Sequence, residues 1–144
     1  MKALLKAMLF GSLLSSCGLG QLTTLPQGQY FVTITNIQEY GGLLGGCDGL
    51  ISASSNTLAQ VNGSGQIKIG GSGYTSSSIQ LQKNPCLQVN DNLFNTDETL
   101  TLSNCTTSNP TGPLQMNANL VIRNQDNNET MCSGDIQLLQ FNNI

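Results

Sequence analysis

The chain has 144 residues and a mass of 15.2 kDa, room for one domain, with 9% charged residues, no His and no Trp. Without His there is no Ser-His-Asp or Cys-His nucleophile pair and no imidazole metal site. Five basic against eight acidic side chains also lack the electrostatic footprint of nucleic-acid binding.

Residues 1–6 carry Lys2 and Lys6, and residues 7–14 form an apolar run broken only by Gly11 and Ser12. This is the shape of a secretory signal, and the run is well short of the roughly 20 residues a permanent membrane helix needs. It ends in Leu14-Ser15-Ser16-Cys17-Gly18. These residues resemble the lipobox of bacterial lipoproteins: a Leu, two small residues and a Cys that close a short signal peptide. The resemblance implies a signal peptide over 1–16, a diacylglyceryl group on the Cys17 sulfur, cleavage before Cys17, and acylation of the new N-terminus. The partner so implied is a lipid bilayer. Gly18 is not the Asp that the lipoprotein class associates with inner-membrane retention, so the expected address is the outer membrane. The other reading is an ordinary secreted protein cut after Gly18 or Gly20.

Setting Cys17 aside leaves Cys47, Cys86, Cys105 and Cys132, an even set in an exported chain, where disulfides are the expected state. Three pairings are open. The expected one joins Cys86 to Cys105 across a short loop and Cys47 to Cys132 across the domain. No two cysteines form a CxxC pair, which disfavours a four-cysteine zinc site.

Residues 17–28 read as a lipidated N-terminus and tether, and 29–144 as a single β domain. In that domain the period is two. Tyr30, Val32 and Ile34 alternate with Phe31, Thr33 and Thr35. Shorter alternations follow at Leu58 and Val61, Ile67 and Ile69, Ile79 and Leu81, Leu87 and Val89, and Leu100 and Leu102. Leu114, Met116, Ala118, Leu120 and Ile122 keep strict alternation, and the step around Leu138-Leu139 breaks as a bulge would. Gly, Asn and Pro punctuate these runs, at Asn62-Gly63-Ser64-Gly65 and Asp126-Asn127-Asn128 among others. The expectation is an all-β antiparallel sandwich or small barrel of roughly seven to nine short strands, stabilised by disulfides.

Catalytic, metal and cofactor sites are not expected. Past the signal, three basic side chains face eight acidic ones, a net of −5. A paired-carboxylate glycosidase also wants aromatic platforms, and only 5% of the chain is aromatic. Asp91, Asp97 and Glu98, or Asp126 to Glu129, offer oxygen ligands without the spacing of a calcium loop. Gly70-Gly71-Ser72-Gly73 is not followed by the Lys and helix of a phosphate loop. Ser72-Gly73-Tyr74-Thr75-Ser76 is similar in kind to the Ser-Gly-x-x-Tyr loop of membrane-bound lysozyme-inhibitor lipoproteins. Its spacing differs by two residues, and that loop's accompanying Trp and Lys are missing. In all, 16 Asn, 13 Gln, 14 Ser and 13 Thr make 56 polar uncharged residues, a composition suited to contact with a glycan or another envelope protein. The leading expectation is a membrane-anchored, non-enzymatic lipoprotein acting by binding or in envelope structure. The alternative is a soluble secreted inhibitor or effector using a disulfide-pinned loop.

Overall fold

The structure, a computed structural model, describes residues 22–40, 47, 57–70, 73–90, 98–108 and 113–142. Residues 1–21, which include the stretch read as a signal, Cys17 and the first part of the stretch read as a tether, lie outside these residues. Among the described residues the protein is all-β: seven antiparallel strands form one sheet that curls into a half-barrel. They are β1 (Gly28–Glu39), β2 (Thr57–Val61), β3 (Ile67–Ile69), β4 (Leu87–Val89), β5 (Glu98–Ser108), β6 (Gln115–Asn124) and β7 (Thr130–Asn142). Their order is β3-β2-β1-β7-β6-β5-β4, so the last strand inserts between the first and the sixth.

Alternation explains the two faces. Tyr30, Val32 and Ile34 of β1 are buried, and register sets Val32 opposite Leu138 and Ile34 opposite Ile136 on β7. Met116, Ala118, Leu120 and Ile122 of β6 continue the same inner layer, and Leu100 and Leu102 of β5 extend it. Burying each large aliphatic side chain contributes about 1.5–3 kcal/mol, and here nearly all of that lies inside the curl. The outer face is left largely to amides and hydroxyls.

Three local readings of the sequence differ from the structure. Leu58 is on the outer face, because the pairing of Tyr30 with Ala59 makes Ala59 and Val61 the inward residues of β2 and places Leu58 opposite Phe31. A one-residue change of phase inverts every side chain in a strand. Ile79 and Leu81 do not belong to a named strand. Their segment crosses the end of the sheet through single bridges, Gln66 with Ser78 and Thr24 with Gln80, which bury Ile79 fully and Leu81 partly. Towards the end of β7 the irregularity falls at Phe141 rather than at Leu138-Leu139: Tyr30 pairs with Gln140 and Gln29 with Asn142, so the register steps past Phe141.

Within the stretch read as a tether, Leu25 is buried and Thr24 bridges Gln80, so residues 24–27 pack against the domain before β1 begins. At the other side of the sheet the outer edge of β3 is already occupied. The Thr75 N–H donates to the Ile67 carbonyl at 2.8 Å, and the Ile67 N–H donates to Thr75 Oγ1 at 3.1 Å. Thr75 Oγ1 in turn donates to the Ser77 carbonyl at 2.7 Å, and the residue is buried.

Candidate functional site

Two of the sheet's irregularities converge on one place. The β1–β7 register shifts between Thr35 and Gln38, and the β5–β6 register shifts between Ser103 and Thr106. Each shift contains an Asn in the left-handed region, Asn36 and Asn104, both with φ 54°. Asn tolerates that region better than other residues with a Cβ, and a bulge re-aims a side chain that regular pleating would send elsewhere. Here both amides turn towards the central pair of strands, where Asn119 of β6 stands opposite Asp135 of β7.

The result is a continuous hydrogen-bonded row across the outer face. Asn36 Nδ2 donates to Asp135 Oδ2 at 2.8 Å, and Asn119 Nδ2 donates to Asp135 Oδ1 at 2.9 Å. Asn104 Nδ2 donates to Asn119 Oδ1 at 2.8 Å, and the Asn104 backbone N–H donates to Asn84 Oδ1 at 3.1 Å. The amide dipoles run head to tail and end on the carboxylate, an arrangement in which each bond strengthens the next. One residue pair along, Asn117 Oδ1 accepts from Gln137 Nε2 at 3.2 Å and Gln115 Nε2 at 3.4 Å.

Between these two rows lies a shallow groove of about 400 Å³, lined by Thr33, Thr35, Asn104, Asn117, Asn119, Asp135 and Gln137 with the backbone of Ala118 and Ile136 beneath. Asp135 is the only charged residue in that lining, and both of its oxygens already accept from amides. Among the described residues, the Thr33 and Thr35 hydroxyls and the Asn117 amino group have no partner within the protein, so they remain available to a ligand.

Next to the groove the outer face changes character. Phe31 precedes Thr33 on the same side of β1 and pairs with Leu139, and its ring stacks on Phe141 with centroids 4.2 Å apart. Phe31, Phe141 and Leu58 are 45%, 43% and 46% exposed, which makes them a contiguous apolar platform rather than scattered surface residues. Beyond it, the Lys68 ammonium sits 5.1 Å from the Tyr74 ring centroid.

The sequence-derived candidates are placed as follows. Cys47 is bonded to Cys132 and Cys86 to Cys105, with sequence separations of 85 and 19. Cys17, Ser72, Asp91 and Asp97 lie outside the described residues. Glu98 is buried at the start of β5. Around Asp126, side-chain oxygens serve the β6–β7 turn: Asn124 Oδ1 accepts from the Asp126 N–H and Asn127 Oδ1 from the Glu129 N–H. Among the described residues no group of three or more Asp, Glu or Cys is placed to hold a metal.

The amide row and the phenylalanine platform were not legible as a site. Phe31 and Phe141 are far apart in sequence, and Asn36 and Asn104 are two among 16 Asn. The only available signal was the strict alternation of β1 and β6, which puts Thr33, Thr35, Asn117 and Asn119 on one face. Compared with known proteins, the chain matches no protein-family model, no curated protein and no solved structure.

Proposed function

We propose that this protein is a lipid-anchored, non-enzymatic lipoprotein of the bacterial cell envelope, whose β domain binds an envelope component through its outer sheet face. The observation that carries the anchor is the lipobox-like Leu14-Ser15-Ser16-Cys17, in register behind two lysines and an apolar run. Two disulfides among the other four cysteines support an oxidising compartment and leave Cys17 as the thiol without a disulfide role. A binding role is supported by the groove, whose polar groups are held in place by one another while others are left for a ligand.

Lipidation at Cys17 would hold the domain at a membrane surface, each buried methylene adding about 0.8 kcal/mol and more than one acyl chain making the anchor durable. Mass spectrometry of the protein purified from its native host tests this directly. The expected N-terminal peptide begins at acylated Cys17; an unmodified start at Leu19 or Gln21 overturns the anchor. Cys17→Ala should move the protein from the membrane to the soluble fraction.

A further inference from the structure

We infer that the groove and the adjoining phenylalanine platform together form a binding site for a neutral, hydroxyl-rich oligosaccharide. This rests on reading the domain as a binding module, and not on the lipid anchor. Three properties of the outer face point to that ligand class. First, the groove offers mixed donors and acceptors: the free Thr33 and Thr35 hydroxyls and the Asn117 amino group stand beside amides held by the row. A sugar hydroxyl both donates and accepts, so it matches such a set, whereas an anion needs donors alone.

Second, the charge is wrong for an acidic ligand. The one ionic group in the lining is the Asp135 carboxylate, and no Lys or Arg lines the groove. Third, an apolar surface of exposed rings lies directly beside the polar groove, one residue pair along the same strands. Pyranose rings present C–H faces flanked by hydroxyl edges, and this face is divided in the same way. Aromatic rings supply large contact area with little rotamer freedom to lose. Rows of side chains about 4.8 Å apart across neighbouring strands would let successive sugar units meet a polar side chain on each strand they cross.

The site is pre-formed. Bulges at Asn36 and Asn104 fix the two ends of the row, so a ligand does not have to order the amides when it binds. Small polar contacts on an open face give weak binding, so millimolar affinity is expected for a single chain and stronger retention on a polymer presenting many copies.

The test is titration of the full chain in detergent with chitohexaose, cellohexaose and maltohexaose, read by calorimetry and by the side-chain amide signals of Asn117, Asn119 and Gln137 in nitrogen-edited NMR. Tri-galacturonate serves as the acidic comparison, and lipid vesicles, offered in detergent-free buffer to the unlipidated Cys17→Ala chain, serve as the competing occupant. The expected result is saturable binding of at least one neutral hexasaccharide, with shifts confined to the groove. Thr33→Ala and Phe141→Ala should each weaken it severalfold, and their double variant about tenfold or more, while Gln88→Ala on β4 leaves it unchanged. Thr33→Ala removes no hydrogen bond within the protein, so its effect is not one of folding. Binding of none of the three neutral sugars overturns the site, as does preference for tri-galacturonate, binding indifferent to both substitutions, or Phe141-dependent binding to vesicles without binding to sugar. No sugar binding by a protein that is acylated at Cys17 overturns this site alone. Sugar binding by a protein that lacks the lipid overturns the anchor alone.

Discussion

Tyr30 sits where the chain enters the sheet, fully buried, with its hydroxyl donating to the Pro26 carbonyl at 2.7 Å. Burial pushes its phenol from 10.0 up to about 12, because the phenolate would lose its hydration inside the curl. In the unfolded chain the phenol ionises near its ordinary value, so between the two values the folded state holds a proton that the unfolded state has released. The resulting stability is complete below pH 10 and is lost as pH rises towards 12, by on the order of 2–3 kcal/mol. Tyr30→Phe should remove that alkaline loss while lowering stability at neutral pH by about 1 kcal/mol, through the stranded Pro26 carbonyl. Urea denaturation at pH 7 and pH 11 checks both limbs. Asn36 poses a different question, since its left-handed backbone and its bond to Asp135 both depend on one residue. Asn36→Gly loses the bond and keeps the backbone; Asn36→Ala loses both. The Ala variant should therefore be less stable than the Gly variant by about 1 kcal/mol, measured by the same unfolding.

At the scale of elements, the β1 bulge has a counterpart in Gly134 of β7. A Cβ there would lie 3.1 Å from the Thr35 carbonyl oxygen and 3.5 Å from Ile34 Cγ2, because the bulged backbone passes directly over it. Gly134→Ala should cost about 1–3 kcal/mol by forcing the two strands apart, and should weaken the neighbouring Asn36–Asp135 contact. A lower Tm together with a shifted Asn36 side-chain amide signal is the expected outcome. The strands themselves were largely readable. Alternation located β1, β3, β4, β5 and β6, since a curl with one wet face imposes period two on each of them. It failed at β2, where the small Ala59 is the inward residue and the larger Leu58 is not. Register shifts escaped the same reading because Asn in a bulge and Asn in a turn are the same letter; only the partner strand tells them apart. For the candidate site, Thr33 and Asn117 could be assigned a face, but what makes them a groove comes from residues on four strands brought side by side.

Taken whole, the half-barrel relies on two covalent ties of unequal reach. Cys47–Cys132 spans 85 residues and links the segment after β1 to β7, while Cys86–Cys105 spans 19 and fastens β4's approach to β5. In a chain-entropy account the longer closure contributes about 4.6 kcal/mol and the shorter about 3.2 kcal/mol. Replacing Cys47 and Cys132 together with Ser should therefore destabilise the protein by about 1 kcal/mol more than replacing Cys86 and Cys105, as compared by urea midpoints. A domain with a thin core depends on such ties. The way β3 ends matters on a larger scale still. A curled sheet that does not close has a free margin, and a margin with vacant donors and acceptors is a template on which a neighbouring molecule can extend the ladder. Thr75 takes up the Ile67 groups at that margin. Were many copies crowded onto a single membrane, high local concentration would favour strand-by-strand polymerisation, and a weakly charged chain would have little repulsion to oppose it. By taking up the Ile67 N–H and carbonyl from within, Thr75 removes that nucleation point at the β3 margin, one of the sheet's two margins, the other being β4.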